Sequence, residues 1–413
     1  MAVYLRRKAL AMDKVEGTHD GEAAKAQEGL YAFGVLYRSP RFDEWEGSKD
    51  SAYGQYRIEW NSRVTARDPG SIPLNINVEV TTRCNLACTF CSHPALLKEQ
   101  TGDLPIEYFE KALRESAQHG GIAAINLNGL GEPMLRRDLD EFIRVGRDYG
   151  AKDIMFHTNG TQLVSEEYIR KMIDAGLDRV IVSVDSPDKA TYEAMRLIKG
   201  SWDTSANAYR PSVKGSPHEL LVENTRRLIR VVEGADGPRP VVRVTCVLTD
   251  KTLPQMQQYR DFWISEGADV ITYQDLTWHD KLIKEGTEHK AWETSEESAI
   301  QDEYASLKDL PEEVRRSFVC PPLYQSMWIE FDGQVVPCSH PDARQHMVMG
   351  MVQETSFPEI WSGAKYRELR ELHESGRWVD HPICGRCEVP LIELRKRVTG
   401  QSVVDSAVSV EAF

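Results

Sequence analysis

An α/β fold built on parallel strands, as a barrel or a doubly wound sheet, is predicted by two features of the chain: six short strand-like runs, and amphipathic helical runs between them. A strand followed by a helix, repeated, requires parallel strands joined by right-handed crossovers. In either arrangement ligands bind at the carboxyl ends of the strands. The strand-like runs are NINVEVT, IAAINLN, DIMFHTN, RVIVSVD, VVRVTCVL and DVITYQD. Helical periodicity appears near Ile106 to Gln118, Asp138 to Tyr149, Glu166 to Ala175, Pro217 to Glu233 and Leu253 to Glu266.

This pattern divides the 413 residues into an extension over 1–73 with no assignable chemistry, a core over 74–275, an acidic helical connector over 276–318, a Cys-bearing subdomain over 319–395 and a tail over 396–413. A polar insertion after the fourth strand, GSWDTSANAYRPSVKGSP, carries Trp202, Tyr209 and Pro211, and is either a lid or a surface loop.

Composition excludes more than it proposes. Lys and Arg number 50 against 64 Asp and Glu, a net charge of -14, which argues against a nucleic-acid partner bound through its phosphate backbone. No apolar run is long enough to span a bilayer, and the first residues lack the apolar core of a secretory signal, so a cytoplasmic protein without a membrane partner is expected. In that compartment clustered cysteines read as metal ligands or catalytic groups rather than disulfides.

Cys84, Cys88 and Cys91 form C-x3-C-x2-C directly after the first strand of the repeating unit. Three thiolates on one short loop hold three corners of a cubane cluster and leave the fourth iron open, whereas a structural zinc takes four protein ligands. At these residues, with Phe90 before the last Cys, the sequence resembles the radical S-adenosylmethionine superfamily. The resemblance spans residues 75 to about 275 and implies a partial (β/α)6 barrel. It implies that the open iron is chelated by S-adenosylmethionine, which is cleaved to methionine and a 5'-deoxyadenosyl radical. Gly129, Leu130, Gly131, Glu132 and Pro133 look like the family's Gly-Gly-Glu-Pro element, whose backbone and Glu meet the methionine amino group, with glycines allowing close approach to the ligand.

Strand parity supplies further candidates. In RVIVSVDS, Ser183 and Asp185 share one face with Ile181 while Val180, Val182 and Val184 share the other, which makes Ser183 and Asp185 candidates for the ribose hydroxyls. In VVRVTCVL, Arg243 pairs in parity with Thr245 and is either a bidentate partner of the methionine carboxylate or a structural ion pair. Cys246 falls with the valines, as core filler rather than a hydrogen-atom donor.

Cys320, Cys338, Cys384 and Cys387 follow at intervals of 18, 46 and 3. WIEFDGQVVP between the first two reads as a β-hairpin turning at Asp332 and Gly333, and FPEIWSGAKYRELRELHESG as a helix before CGRC. Four thiolates complete a metal centre with no open site; an iron-sulfur cluster and a structural zinc both suit the spacing. The arrangement resembles the twitch subdomain, a shortened SPASM extension, and implies one auxiliary 4Fe-4S cluster beside the radical-generating one.

The resemblance is strongest to 2-deoxy-scyllo-inosamine dehydrogenase-type enzymes of aminocyclitol antibiotic biosynthesis. It implies hydrogen abstraction from a carbinol carbon of a sugar or aminocyclitol, proton loss, and electron transfer to the auxiliary cluster to give a ketone, with a flavodoxin or ferredoxin as reductant. Glu79, on the inward parity of NINVEVT with Asn77 and Thr81, and His157 are the candidate general bases; Gln274 shares that parity but cannot take the proton. Trp202, Tyr209, Trp278 and His279 are candidates for stacking on a sugar. Redox-neutral epimerisation or diol dehydration of a glycoside, peptide maturation, and a non-enzymatic iron-sulfur or zinc scaffold are the alternatives.

Overall fold

The computed structural model of the chain describes residues 33–91, 101–203, 208–211, 214–237, 239–249, 251–275, 307–387 and 389–390. The side chains of Trp202, Tyr209 and Pro211, and the whole of Trp278 and His279, lie outside the described residues, as does the tail.

All six anticipated strands form. In chain order the strands are β1 (Phe33–Arg38), β2 (Asn75–Val78), β3 (Leu86–Cys88), β4 (Ala124–Leu127), β5 (Asp153–Thr158), β6 (Arg179–Ser183), β7 (Arg196–Ile198), β8 (Gly200–Asp203), β9 (Ala208–Pro211), β10 (Val241–Leu248), β11 (Val270–Asp275), β12 (Ser326–Ile329), β13 (Gln334–Val336) and β14 (Gly350–Met351). The main sheet runs β1-β11-β10-β6-β5-β4-β2-β12-β13-β14. Within it β2, β4, β5, β6, β10 and β11 are parallel and lie in the order of the chain. A doubly wound sheet reverses its strand order at a switch point; the unreversed order here is that of a barrel wound in one direction, left open between β11 and β2.

The crossover helices occupy Ile106–Ala117, Leu139–Asp148, Glu166–Asp174, Pro217–Glu233 and Met256–Ser265, within a few residues of their expected positions. Local chemistry fixes their starts. Ser165 accepts from the Tyr168 N–H ahead of the third, and Ser216 accepts from the Glu219 N–H ahead of the fourth, where Pro217 takes the first helical position. Their apolar faces meet the outward residues of the strands: Ile76, Val78, Ile125, Leu127, Ile154, Phe156, Val180, Val182, Val242 and Val244 share one core with Phe109, Phe142, Ile169 and Leu228. The inward residues of the same strands are left for the lumen.

The part of the 1–73 extension that is described has a structural role. Strand β1 pairs antiparallel with β11, and Phe42, Trp45, Tyr53, Tyr56 and Trp60 from the helices Pro40–Gly47 and Ser51–Ala66 pack on Leu74, Ala124, Val241 and Val270, the first residues of the barrel strands or their neighbours. The aromatic group closes the barrel floor, above which Asp153 and Arg179 form a buried ion pair.

The C-terminal subdomain continues the barrel sheet. Strand β12 pairs parallel with β2, Ser326 opposite Asn75 and Trp328 opposite Asn77, before turning at Gly333 (φ 86°) into β13. The single helix expected after the hairpin is two helices, Phe357–Ser362 and Ala364–Glu374. Gly363 turns extended between them (ψ 167°), and a Cβ there would lie 2.9 Å from the Glu359 carbonyl.

Candidate active site

The loop after β2 carries Cys84, Cys88 and Cys91 at the carboxyl end of the barrel. Strand β3 within it pairs with β7, which sets Arg196 opposite Cys88. The Arg196 guanidinium lies 3.8 Å from Cys88 Sγ and 5.4 Å from the centre of the Phe90 ring. On the other side of the loop the Asn159 amide donates to Asn85 Oδ1 at 2.9 Å and reaches within 4.0 Å of Cys84 Sγ. Neither Arg196 nor Asn159 was singled out by the sequence: an Arg after a helix and an Asn in FHTNG look ordinary until the fold brings them to the cysteines.

Burial pushes the Cys84 thiol up to about 11 and Cys88 up to about 12, and the thiols raise one another further. A low-dielectric pocket disfavours bare thiolates, so positive charge from a bound metal centre is what would hold them deprotonated.

Glu132 is buried, and its carboxylate accepts from the Thr158 hydroxyl (2.7 Å), the Met134 N–H (3.0 Å) and the Asn159 N–H (2.6 Å). Burial raises its pKa, which these three donors oppose. One of its four lone-pair directions is left for a ligand amino group. Pro133 opens the short 3-10 turn that Glu132 caps. The glycines have a packing role within the chain. A Cβ on Gly129 would lie 2.4 Å from Glu79 Cγ, and one on Gly131 would lie 2.1 Å from the Thr81 carbonyl oxygen. Both permit close approach of this loop to the chain's own first strand and Cys loop, where the Glu132 N–H donates to the Arg83 carbonyl at 2.7 Å.

Ser183 is half-buried, and its hydroxyl meets no partner among the described residues, so it is available to a ligand. Asp185 is largely taken: Arg196 Nε donates at 2.6 Å and Nη2 at 3.2 Å, and the Val247 N–H at 3.1 Å. Its main structural office is to anchor Arg196 beside Cys88. Arg243 is buried on the lumen face and donates to Thr272 Oγ1 at 2.9 Å. Cys246 packs with the outward core, Sγ 3.7 Å from Met256 Sδ.

The lumen is polar. Asn126 donates to Asn77 Oδ1 at 3.0 Å, but Asn75 Oδ1, Asn77 Nδ2, Asn126 Oδ1, His157 Nε2 and Thr245 Oγ1 are buried without a hydrogen-bond partner among the described residues. Such atoms call for a bound ligand or water. Of the two candidate bases, Glu79 is held by the Leu130 N–H (2.9 Å, to Oε1) and by Arg344 Nη2 (2.6 Å, to Oε2), with the Phe331 N–H 3.4 Å from Oε2. His157 is pushed down to about 3 by burial, with Arg243 and Arg179 adding to the shift. A histidine so reluctant to charge is a poor proton acceptor at neutral pH, and both Glu79 oxygens already have partners within the chain.

Cys320, Cys338, Cys384 and Cys387 converge in the C-terminal subdomain. Burial raises the pKa of Cys320 and Cys384 well above its usual range, and the neighbouring thiols add to both; burial holds Cys338 at about 11. The His381 ring accepts from the Cys384 N–H at 3.1 Å and so orders the CGRC turn. Among the described residues no three His, Cys, Asp or Glu side chains are gathered as a single-ion site. Also among the described residues, no helix is long and apolar enough to cross a membrane.

Residues 78–211 match the Radical SAM superfamily and residues 320–388 match the SPASM iron-sulfur cluster-binding domain. The probable GTP 3',8-cyclase of Methanococcus maripaludis is 37% identical over 119 residues, which cover 29% of this chain and only 39% of that protein. The AdoMet-dependent heme synthase of Nitratidesulfovibrio vulgaris is 26% identical over 322 residues, 75% of this chain and 85% of its own. In fold, the crystal structure of Streptococcus suis SuiB bound to the precursor peptide SuiA is similar, with a TM-score of 0.55 and 14% identity, covering 79% of this chain and 78% of SuiB. The match over the first three thiols and the second over the last four show that this chain carries a Radical SAM domain followed by a C-terminal SPASM domain, which together imply S-adenosylmethionine, a radical-generating cluster and an auxiliary iron-sulfur cluster.

Proposed function

We propose that the chain is a radical S-adenosylmethionine dehydrogenase that oxidises a carbinol of a sugar or aminocyclitol to a ketone, as in aminocyclitol antibiotic biosynthesis. The observation that carries this reading is the hydrogen-bonded pairing of β12 with β2. Strand β2 leads into the loop of Cys84, Cys88 and Cys91, and β12 leads through its hairpin to Cys338, so two neighbouring strands of one sheet run on to the two thiol sets.

When bound, the cofactors supply a carbon-centred radical at the first site and a one-electron acceptor at the second. Phe90 and Arg196 order the first thiol loop, and Gly129, Gly131 and Pro133 shape the neighbouring loop so that Glu132 turns its carboxylate toward it. Ser183 and Arg243 offer a hydroxyl and a guanidinium from the lumen face to the adenosyl and methionyl ends. Asn77, Asn126 and Thr245 present uncharged donors and acceptors, which suit the hydroxyls of a polyhydroxylated substrate. Cys246 faces the helices, which counts against a thiol-quenched epimerisation.

Anaerobic turnover with a flavodoxin or ferredoxin reductant and an aminocyclitol deuterated at the carbinol carbon tests the reading. Deuterium in 5'-deoxyadenosine with an equal yield of ketone is the expected result. Deuterium transfer accompanied by an epimer or a dehydrated product would make the enzyme redox-neutral.

A further inference from the structure

Glu330, which the sequence did not single out, stands immediately after β12 at the carboxyl end of the barrel. Met327 and Ile329 pack into the outward core, and Ser326 and Trp328 lie opposite Asn75 and Asn77, so the alternation carries Glu330 onto the lumen face beside Glu79. Arg344 joins the two carboxylates: Nη2 is 2.6 Å from Glu79 Oε2 and Nε is 3.0 Å from Glu330 Oε2.

One guanidinium therefore serves two acids, and the acids are unequal. Glu79 also receives the Leu130 N–H, with the Phe331 N–H nearby. The Glu330 carboxyl meets only Arg344 among the described residues, through one oxygen, although its side chain is only 10% exposed. Burial, with Glu79 and Asp332 facing it, pushes its pKa up to about 8 against the pull of Arg344. A carboxylate of that basicity is matched to accepting a proton near neutral pH in a way that an ordinary one is not.

We propose that Glu330 is the catalytic proton acceptor of the oxidation, with Arg344 and Glu79 as the positioning residues that hold it at the mouth of the lumen. The proposal rests on the dehydrogenase reading above. The carbinol carbon gives its hydrogen atom to the 5'-deoxyadenosyl radical, the hydroxyl oxygen gives its proton to Glu330, and the remaining electron reduces the oxidised auxiliary cluster. The C–O bond becomes C=O and Glu330 ends as the neutral acid. The hairpin that bears Glu330 continues to Cys338, so proton and electron leave the substrate toward the same subdomain.

The test uses holoenzyme and the carbinol-deuterated aminocyclitol. In Glu330→Gln, which keeps the shape and an oxygen for Arg344, deuterium should still enter 5'-deoxyadenosine while ketone formed per 5'-deoxyadenosine falls about a hundredfold; Glu330→Asp should restore part of it. An infrared titration gives a readout independent of turnover: a protonated-carboxyl band lost as pH rises through about 8 in the wild type and missing from Glu330→Gln. An unchanged ketone ratio in Glu330→Gln, or persistence of the band in that variant, overturns the proposal while leaving the dehydrogenase reading intact. A wild type that transfers deuterium and yields no ketone overturns the dehydrogenase reading and the proposal with it.

Discussion

Arg344 of the SPASM domain donates to Glu79, the residue that follows the first barrel strand, at 2.6 Å, and both side chains are at least nine-tenths buried. The bond crosses the seam between the two iron-sulfur domains, and Glu79 in turn receives the Leu130 N–H from the loop that carries Glu132. Removing the cation leaves the buried Glu79 carboxylate facing Glu330 without it. Arg344→Met is therefore expected to destabilise the chain by about 3 to 5 kcal/mol, the cost of breaking a buried pair from one side. Adding Glu79→Gln should recover part of the loss, and a four-variant cycle in urea at pH 7 measures the coupling. A midpoint unmoved by Arg344→Met would show that the seam does not depend on this pair.

Gly131→Ala is expected to disturb the cofactor site while leaving the fold in place. The added methyl would lie 2.1 Å from the Thr81 carbonyl oxygen and 2.8 Å from that of Arg83, both backbone atoms that cannot rotate away. The loop must move off the Cys loop by breaking the Glu132 N–H to Arg83 bond, at about 1 to 3 kcal/mol. S-adenosylmethionine affinity should drop about tenfold or more in equilibrium dialysis, with the iron of the C-terminal site retained. Equal affinity in the two proteins would show that the loop yields freely.

The alternation of parallel strands and helices was legible because its signal is local, whereas its arrangement as a barrel rested on the resemblance at the first cysteine loop. Strands such as RVIVSVD alternate between a valine face and a polar face, and helices such as Glu166–Asp174 announce themselves with a capping Ser165 and apolar residues at helical spacing. The first thiol set was legible for the same reason, since ligands on one loop have a fixed spacing, while the second, spread from Cys320 to Cys387, was read from the resemblance. What was not legible depends on distant pairing. Strand β1 has no clean alternation and gains its identity from β11, with Tyr37 opposite Ile271. Arg196 becomes distinctive only when β7 lies against β3, and Glu330 only when β12 joins β2, a register no short window of sequence contains.

Acid should destabilise the protein through its buried histidines. His373 packs beside the rings of Phe318 and Trp378, neither ring nitrogen has a hydrogen-bond partner among the described residues, and burial pushes its pKa down to about 3. The unfolded chain takes this proton near pH 6.5 and the folded chain does not. Between those values the unfolded state binds more protons, so stability present above pH 6.5 is lost as pH falls toward 3. His373→Phe keeps an aromatic ring in the slot and removes both unpartnered nitrogens. It should stabilise the chain at pH 7, and below pH 6 its unfolding free energy from urea titrations should fall less steeply, by up to about 1.4 kcal/mol per pH unit. The same acid slope in both proteins would mean that His373 does not resist protonation.

The two thiol sets make separable predictions about metal. Cys84, Cys88 and Cys91 lie on one loop tied down by Arg196 and Asn159, whereas Cys320, Cys338, Cys384 and Cys387 come from the hairpin and the CGRC turn of a different domain, so loss of one set leaves the other's scaffold intact. After anaerobic reconstitution the wild type should hold about eight irons per chain, and the triple Ala variant of the first set about four, with no cleavage of S-adenosylmethionine. The fourfold Ala variant of the second set should also hold about four, and should still cleave S-adenosylmethionine while making no ketone, because the electron acceptor is gone. About four irons and one zinc in the wild type, falling to zinc alone in the triple variant, would instead make the C-terminal site structural. A protein of that composition lacks an internal oxidant, and the search for its product would turn to epimers and dehydrated glycosides.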